Sequence, residues 1–147
     1  MTIRQIGKGF NFQGMMRKAS MEKNVLPRKI AITAKNWYLL GFRKGGGQTD
    51  AGAWEKRKKA DVGKRRGILV QSGKLRNSIS VISATWDRIT IGSKGIVYAA
   101  IHNYGLMGKA WGKHSFKMPK REFLGTSQKL NRKIITMIKN RFKRVIK

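Results

Sequence analysis

Apolar residues in the first third of the chain follow a helical period. From Met15 to about Arg43 they recur every three or four residues, which predicts an amphipathic helix. Asn24 and Pro27 predict a break and restart inside it, because proline is tolerated in a first helical turn. Gly41 or the Gly45–Gly47 run is expected to end the helix. Its aromatic pair, Trp37 and Tyr38, is interpreted as core.

The remaining N-terminal residues, 1–14, contain Gly7, Gly9 and Gly14 and have no strong periodicity. They predict an irregular arm that docks on a neighbour, or a mobile terminus.

Alternation in the middle of the chain predicts an antiparallel β-hairpin. Ile79 and Val81 alternate with serines, and Ile89 and Ile91 alternate with polar residues after a turn at 84–87. A helical spacing then follows over two turns and ends at Gly105. Residues 106–117 read as a loop, before an extended return that contains Pro119.

The last segment predicts a second long helix, which begins after Thr126 or Ser127 as N-cap. Its apolar stripe consists of Leu130, Ile134, Met137, Ile138, Phe142 and Val145. The predicted fold is therefore a single α+β domain over residues 1–147. It comprises an N-terminal helix, an antiparallel hairpin or small sheet, a short helix and a C-terminal amphipathic helix.

The charge of the chain adds to this prediction of the fold. The sequence contains 34 Lys and Arg residues but 6 Asp and Glu residues, which gives a net charge of +28. Such a chain repels itself and favours an anionic counterpart, which is nucleic acid, an acidic protein surface or an anionic membrane. Two segments concentrate the charge, the glycine-rich basic loop 45–67 and the last helix. Each is either a solvated surface or a surface that faces DNA or a partner. The candidate residues are Lys56, Arg57, Lys58, Lys59, Lys64, Arg65, Arg66, Lys129, Arg132, Lys133, Lys139 and Lys143. Trp54 is expected to anchor the basic loop to the body of the protein.

The composition argues against catalysis. The chain has no cysteine, six acidic residues and two separated histidines, His102 and His114, so neither a metal site nor an acid–base site is visible. His102 is interpreted as packed against the sheet or hydrogen-bonded locally. No enzyme activity, metal or cofactor is expected. No apolar run reaches the length of a membrane span, and no secretory signal is visible.

An ordered series of short motifs resembles the tail-completion or virion morphogenesis family of tailed bacteriophages, the family of the phage Mu morphogenesis protein. The series runs from about Trp54 to the end of the chain. The matching residues are Leu69, Ser72, Gly73, Leu75, Arg76, Ser78, Ile79, Ile91, Gly92, Tyr98, Ala99, Ile101, His102, Gly105, Pro119, Arg121, Phe123, Leu124 and Gly125.

The resemblance implies a structural virion protein that acts as a ring of identical subunits at the portal–tail junction or tail end. Its implied partners are portal or connector proteins and tail proteins, after assembly in the host cytoplasm. The motif residues would then be structural landmarks: Gly73, Leu75, Arg76, Tyr98, His102, Gly105, Pro119, Arg121 and Phe123. This chain departs from the family in its charge. The excess charge would line a channel for packaged DNA, contacted without sequence preference, or face an acidic partner.

A second hypothesis remains open from the charge alone. A basic nucleic-acid-binding protein, active as a monomer or small oligomer, would also carry aromatic residues near basic loops. It would bind DNA or RNA tightly, with a steep loss of affinity as salt rises.

Overall fold

The structure, a computed structural model, describes residues 12–57, 67–110 and 114–146. These residues form four helices and two separate two-stranded antiparallel sheets, which confirms the predicted α+β class. The elements are α1 (Phe12–Lys44), α2 (Lys74–Ser78), β1 (Ile79–Ala84), β2 (Ile89–Ser93), α3 (Ala99–Tyr104), β3 (Met107–Ala110), β4 (His114–Lys117) and α4 (Gln128–Ile146).

Helix α1 is continuous over 33 residues and passes through Pro27, so the predicted break is wrong. A proline inside a helix removes one backbone donor and costs about 3 kcal/mol. Here Leu26 and Pro27 are both buried, and so are Ala31 and Ala34 one and two turns later. Burial along this side of the helix offsets the missing hydrogen bond. Residues 12–14, predicted as part of the arm, belong to the first turn, while 1–11 lie outside the described residues.

The end of α1 lies at the glycine run, not at Gly41. Gly45 has a φ of 73°, and the Gly46 N–H donates to the Gly41 carbonyl at 2.9 Å. Gly46 then forms an isolated bridge with Ala53, which turns the chain back toward the body of the protein. The sequence predicted this stop because glycine adopts the left-handed conformation without strain.

Trp54 anchors the loop that follows α1, as predicted. Its ring is buried and packs edge-on against Phe42 with centroids 5.3 Å apart, while its indole N–H donates to the Glu122 carbonyl at 2.9 Å. The core interpretation of Trp37 and Tyr38 needs correction, since both side chains are only half-buried. The buried aromatic residue of this end of α1 is Phe42.

The predicted hairpin is confirmed as β1–β2. Val81 lies opposite Ile91, and a β-bulge follows between Val81 and Ser83. The Thr85 N–H donates to the Arg88 carbonyl at 2.9 Å and closes the turn.

A second hairpin, β3–β4, occupies the segment predicted as a loop at 106–117. Gly108 pairs with Phe116, and a Cβ on Gly108 would lie 2.6 Å from the Phe116 ring. Gly108, which suggested a loop in the sequence, therefore makes room for a cross-strand aromatic ring. Met107 is exposed, and Trp111 lies outside the described residues.

The core is formed by residues from every part of the chain. Phe42 lies at its centre and packs against Trp54 and Phe123, with the Phe42 and Phe123 ring centroids 5.6 Å apart. The other buried members are Leu75, Ile79 and Ala99.

A segment without regular structure, the return segment (residues 121–127), crosses this core and is held by distant side chains. Asn103 is buried, and its Oδ1 atom accepts hydrogen bonds from the N–H groups of Phe123 at 2.9 Å and Leu124 at 3.0 Å. Its side-chain N–H donates to the Leu124 carbonyl at 2.9 Å. The Tyr38 hydroxyl donates to the Gly125 carbonyl at 2.7 Å. These bonds satisfy backbone groups that no strand partner reaches.

Helix α4 begins at the end of the return segment. Ser127 Oγ accepts the Leu130 N–H at 3.3 Å, which selects Ser127 over Thr126 as the capping residue. Asp50 Oδ1 accepts the Gln128 N–H at 3.0 Å and places a carboxylate at the positive end of the helix. The predicted stripe is buried at Leu130 and half-buried at Ile134, Met137 and Ile138, whereas Phe142 is 37% exposed.

Helices α1 and α4 pack antiparallel along this stripe. Lys133, near the start of α4, lies over the Trp37 ring near the end of α1, with Nζ 5.8 Å from the ring centroid. Arg141, near the end of α4, pairs with Glu22 at 3.6 Å.

Replacing Asn103 is expected to destabilise the fold strongly. Asn103→Ala removes three hydrogen bonds and leaves two buried N–H groups and one carbonyl unpaired, a loss of about 2–4 kcal/mol in the free energy of unfolding. Asn131→Ala, at an exposed position of α4, is the control. Urea unfolding followed by circular dichroism measures both. Equal midpoints for the two variants would contradict the assigned role of Asn103.

A second matched pair tests the turn after α3. Gly105 has a φ of 69°, and a Cβ there would lie 3.0 Å from the backbone N of Lys120. Gly47 has a φ of 77°, but a Cβ there would meet nothing within 4 Å. Gly47→Ala should therefore lower the free energy of unfolding by about 1 kcal/mol because of its positive φ alone. Gly105→Ala should lower it by about 1–3 kcal/mol more because the backbone must also shift. Thermal unfolding compares the two, and a smaller loss at Gly105 would refute the close approach.

Candidate functional site

Five of the nine motif landmarks line one cleft, with a volume of ≈ 620 Å³. They come from three places in the chain: the segment before α2, the α3 region and the start of the return segment. We call this space the motif cleft. Its lining residues are Arg57, Ile68, Leu69, Gln71, Ser72, Gly73, Lys74, Leu75, Tyr98, His102, Met118 and Arg121.

One side of the motif cleft is the turn that precedes α2. Leu69 has a φ of 61°, and it is the non-glycine residue with positive φ among the described residues. Gly73 has a φ of 75° and caps α2, where the sequence predicted a turn. Leu75 then enters the core beneath the cleft. A left-handed leucine is costly, and such strain concentrates at functional sites.

The opposite side joins α3 to the return segment. Tyr98 and His102 pack edge-on, with ring centroids 5.8 Å apart. The Arg121 N–H donates to the His102 carbonyl at 2.9 Å, and Arg121 Nε donates to the Glu55 carbonyl at 3.1 Å. Arg121 is 8% exposed, so the surrounding backbone fixes its guanidinium group.

Positive charge dominates the motif cleft. Its described lining residues include the cations Arg57, Lys74 and Arg121, and none of these described residues is acidic. Burial lowers the pKa of Arg121, the Glu55 carboxylate opposes that shift, and Arg57 adds to it. Arg57 also donates through Nη2 to the Gly67 carbonyl at 3.0 Å. The cleft is therefore built to receive negative charge.

His102 is partly buried beside these cations. Burial, and secondly the charge of Arg121, lower its pKa below the usual 6.5. Its Nδ1 atom is buried and has no hydrogen-bond partner among the described residues. The sequence predicted packing against the sheet or a local hydrogen bond; the ring contact seen in the structure is with Tyr98 of the α3 region.

The other four landmarks support the cleft from outside its lining. Gly105 ends α3 in a left-handed conformation, and Phe123 is buried in the core. Arg76 and Pro119 are half-buried. Tyr98, His102 and Arg121 thus line a site, although the sequence suggested only structural landmarks.

The basic candidates of the last helix lie together on an exposed surface. Lys129, Arg132, Lys133, Lys139 and Lys143 are all exposed on α4. Helix α4 carries seven Lys and Arg and no acid, and α1 carries eight with Glu22 as its acidic residue. We call the exposed surface of these two helices the basic helical face.

The predicted basic loop is only partly described. Lys56 is exposed, and Arg57 lines the motif cleft. Five further candidates lie outside the described residues: Lys58, Lys59, Lys64, Arg65 and Arg66. The two basic segments of the sequence therefore do not form one described surface.

Sequence reasoning missed two features of these sites. Asn103 holds the return segment, but it occupied a variable position in the motif series and only its neighbour Gly105 drew attention. The basic residues of α1, such as Arg28 and Lys29, were not included among the candidates because the helix was read for its apolar side. The unbalanced charge of α1 was a signal that could have found them.

Neither metal ligation nor membrane insertion is supported in the described ranges. Residues 12–57, 67–110 and 114–146 contain no cluster of three His, Cys, Asp or Glu residues that could hold a metal ion. No described helix combines the length and apolar character needed to cross a bilayer.

These features describe a small, strongly basic α+β protein in which five of the nine motif landmarks line one cleft. The chain belongs to the phage virion morphogenesis family, whose model matches residues 11–143. Membership gives it a role in the assembly of a phage virion. No curated protein and no solved structure matches the chain significantly.

The lowered pKa of His102 predicts a pH-dependent stability. The unfolded chain takes up a proton on this residue near pH 6.5, whereas the folded protein does so only at lower pH. The free energy of unfolding should therefore fall as pH drops from 6.5 toward the folded pKa. His102→Gln should remove this part of the slope. Urea unfolding across that pH range measures the difference, and parallel curves for the two proteins would contradict the assignment.

Proposed function

We propose that this protein is a non-enzymatic structural component of a tailed phage that completes the tail or joins head to tail. In this proposal, identical subunits form a ring at the portal–tail junction. The observation that carries the proposal is the family match over residues 11–143, together with a fold that places five of the nine motif landmarks in one cleft.

The basic helical face supports a position near packaged DNA or an acidic virion partner. Its cations lie on two antiparallel helices with few acids to balance them. The four lysines and one arginine at the α4 candidate positions are exposed and can approach phosphates without unfolding the helix. A ring would repeat this face around a channel, so that the subunits together form a continuous positive surface. Each subunit would then need only a modest affinity for DNA.

The exposed apolar residues near α3 support contacts between proteins. Val97, Tyr104, Leu106 and Met107 are all exposed. Apolar and aromatic residues of this kind are common in protein interfaces. They suit a protein whose working form is an assembly.

A nucleic-acid-binding protein that acts alone is the second candidate, and the basic helical face is the observation that favours it. The two candidates differ in salt dependence. Binding through many phosphates loses affinity steeply with salt. The assembly of a virion component instead depends on its protein partners.

Light scattering coupled to size exclusion, at low and high salt and after removal of nucleic acid, tests the proposal. We expect a discrete ring, formed alone or on addition of portal or tail proteins of the same phage. DNA affinity should be weak and independent of sequence. A monomer at every salt concentration that binds DNA tightly and ignores the virion proteins would overturn the proposal in favour of the second candidate.

A triple charge reversal tests the basic helical face. Changing Lys129, Lys139 and Lys143 to Glu should leave ring formation intact and reduce the DNA affinity of the ring, because the reversal removes phosphate contacts. The matched control changes Lys94, Lys109 and Lys117 to Glu, which are also exposed but lie on the β3–β4 hairpin and in the loop after β2. Equal loss of DNA affinity in both variants, measured by anisotropy at several salt concentrations, would show that overall charge is responsible.

A further inference from the structure

We propose that the motif cleft is a binding site for an acidic peptide segment of another protein, whose carboxylates contact Lys74 and Arg121. The recognition chemistry comes from the cleft alone. Only the expectation that the partner is another virion protein rests on the proposed function.

The first argument is electrostatic. Arg121 is 8% exposed and donates through Nε to a backbone carbonyl, that of Glu55. Among the described residues it forms no ion pair within 4 Å, and the Glu55 carboxylate acts on its charge only from a longer distance. A buried cation with a neutral acceptor is stabilised further by a carboxylate, since hydrogen bonds between charged groups are about twice as strong as neutral ones. Lys74 adds a mobile cation at the rim of the same cleft.

The second argument is the mixed character of the lining. Ile68, Leu69, Tyr98 and Met118 supply apolar surface beside the cations. A peptide that alternates acidic and apolar side chains satisfies both kinds of surface, whereas a phosphate group uses only the charges. The polar residues Gln71 and Ser72 line the same space and suit contacts with a peptide backbone.

The third argument is size and shape. A volume of ≈ 620 Å³ falls within the roughly 300–1,000 Å³ typical of ligand sites and suits a few residues of extended peptide. DNA binds across extended surfaces such as the basic helical face. The two surfaces therefore fit different partners.

The backbone of the cleft is arranged before binding. Leu69 is held in a left-handed conformation, and Arg121 is fixed through the His102 carbonyl and the Glu55 carbonyl. A rigid site loses less conformational entropy when a ligand binds. This arrangement also gives the strained leucine a role, since it shapes the side of the cleft that faces Tyr98 and His102.

Fluorescence anisotropy at physiological salt tests the inference. The probe is a labelled short peptide of alternating Glu and Leu, and the comparison peptide carries Gln in place of every Glu. We expect Lys74→Glu to weaken binding of the acidic peptide by about tenfold. Lys139→Glu changes the net charge equally at an exposed α4 position and should weaken it less than about twofold. Arg121→Gln should abolish binding, with thermal unfolding as a check of its fold.

Three results would overturn the inference. Equal losses of peptide affinity in Lys74→Glu and Lys139→Glu would show that the peptide is attracted to the overall charge of the protein. Equal affinity for the Gln peptide would show that carboxylates are not recognised. Stronger competition by inorganic phosphate or a short DNA duplex than by unlabelled acidic peptide, dependent on Lys74, would make the cleft a phosphate site. Ring formation by Lys74→Glu, measured separately, distinguishes failure of this inference from failure of the proposed function.

Discussion

The fold depends on the hydrogen bonding of one irregular stretch of backbone, the return segment. It carries Phe123 into the core and leads into α4, yet no strand pairs with it. Asn103 binds it on one side, and Tyr38 and Trp54 donate to its carbonyls on the other. Asp50 receives the first N–H of α4 just beyond. These bonds to main-chain groups fix α1, the loop after it, α3 and α4 relative to each other.

The same constraint creates the motif cleft. Asn103 fastens α3 to the return segment, which brings His102 and Arg121 into backbone contact and places Tyr98 beside them. The residues of the motif series, dispersed over about half of the chain, become neighbours for this reason. Positive charge divides into two surfaces of different character. The motif cleft is concave, partly apolar and rigid, whereas the basic helical face is extended and solvated.

The sequence predicted what depends on local periodicity and missed what depends on distant partners. The 3.6-residue pattern located α1 and α4, and alternation located the β1–β2 hairpin, because one side of each is buried. The break predicted at Pro27 is wrong because burial along α1 outweighs the free-energy cost of a proline inside the helix, and this burial is not visible in the sequence. Gly108 led to the prediction of a loop, but it lies in a strand where the ring of Phe116 fills the space above it. Asn103 could not be assigned its role, since its partners lie 20 and 21 residues away and a buried asparagine has no periodic signature. The motif series located Arg121 but gave no sign of its burial.

The central claim is that this chain is a ring-forming component of the head–tail junction. Cryo-electron microscopy of the intact virion tests it most directly, because the α+β fold with two long antiparallel helices is recognisable in a density map. The account predicts a closed ring of identical copies at the junction, with α1 and α4 facing the DNA channel or an acidic neighbour and an acidic segment of another virion protein in the motif cleft. A virion that contains no copy of the chain, while the free protein is found bound to nucleic acid in the cell, would contradict it.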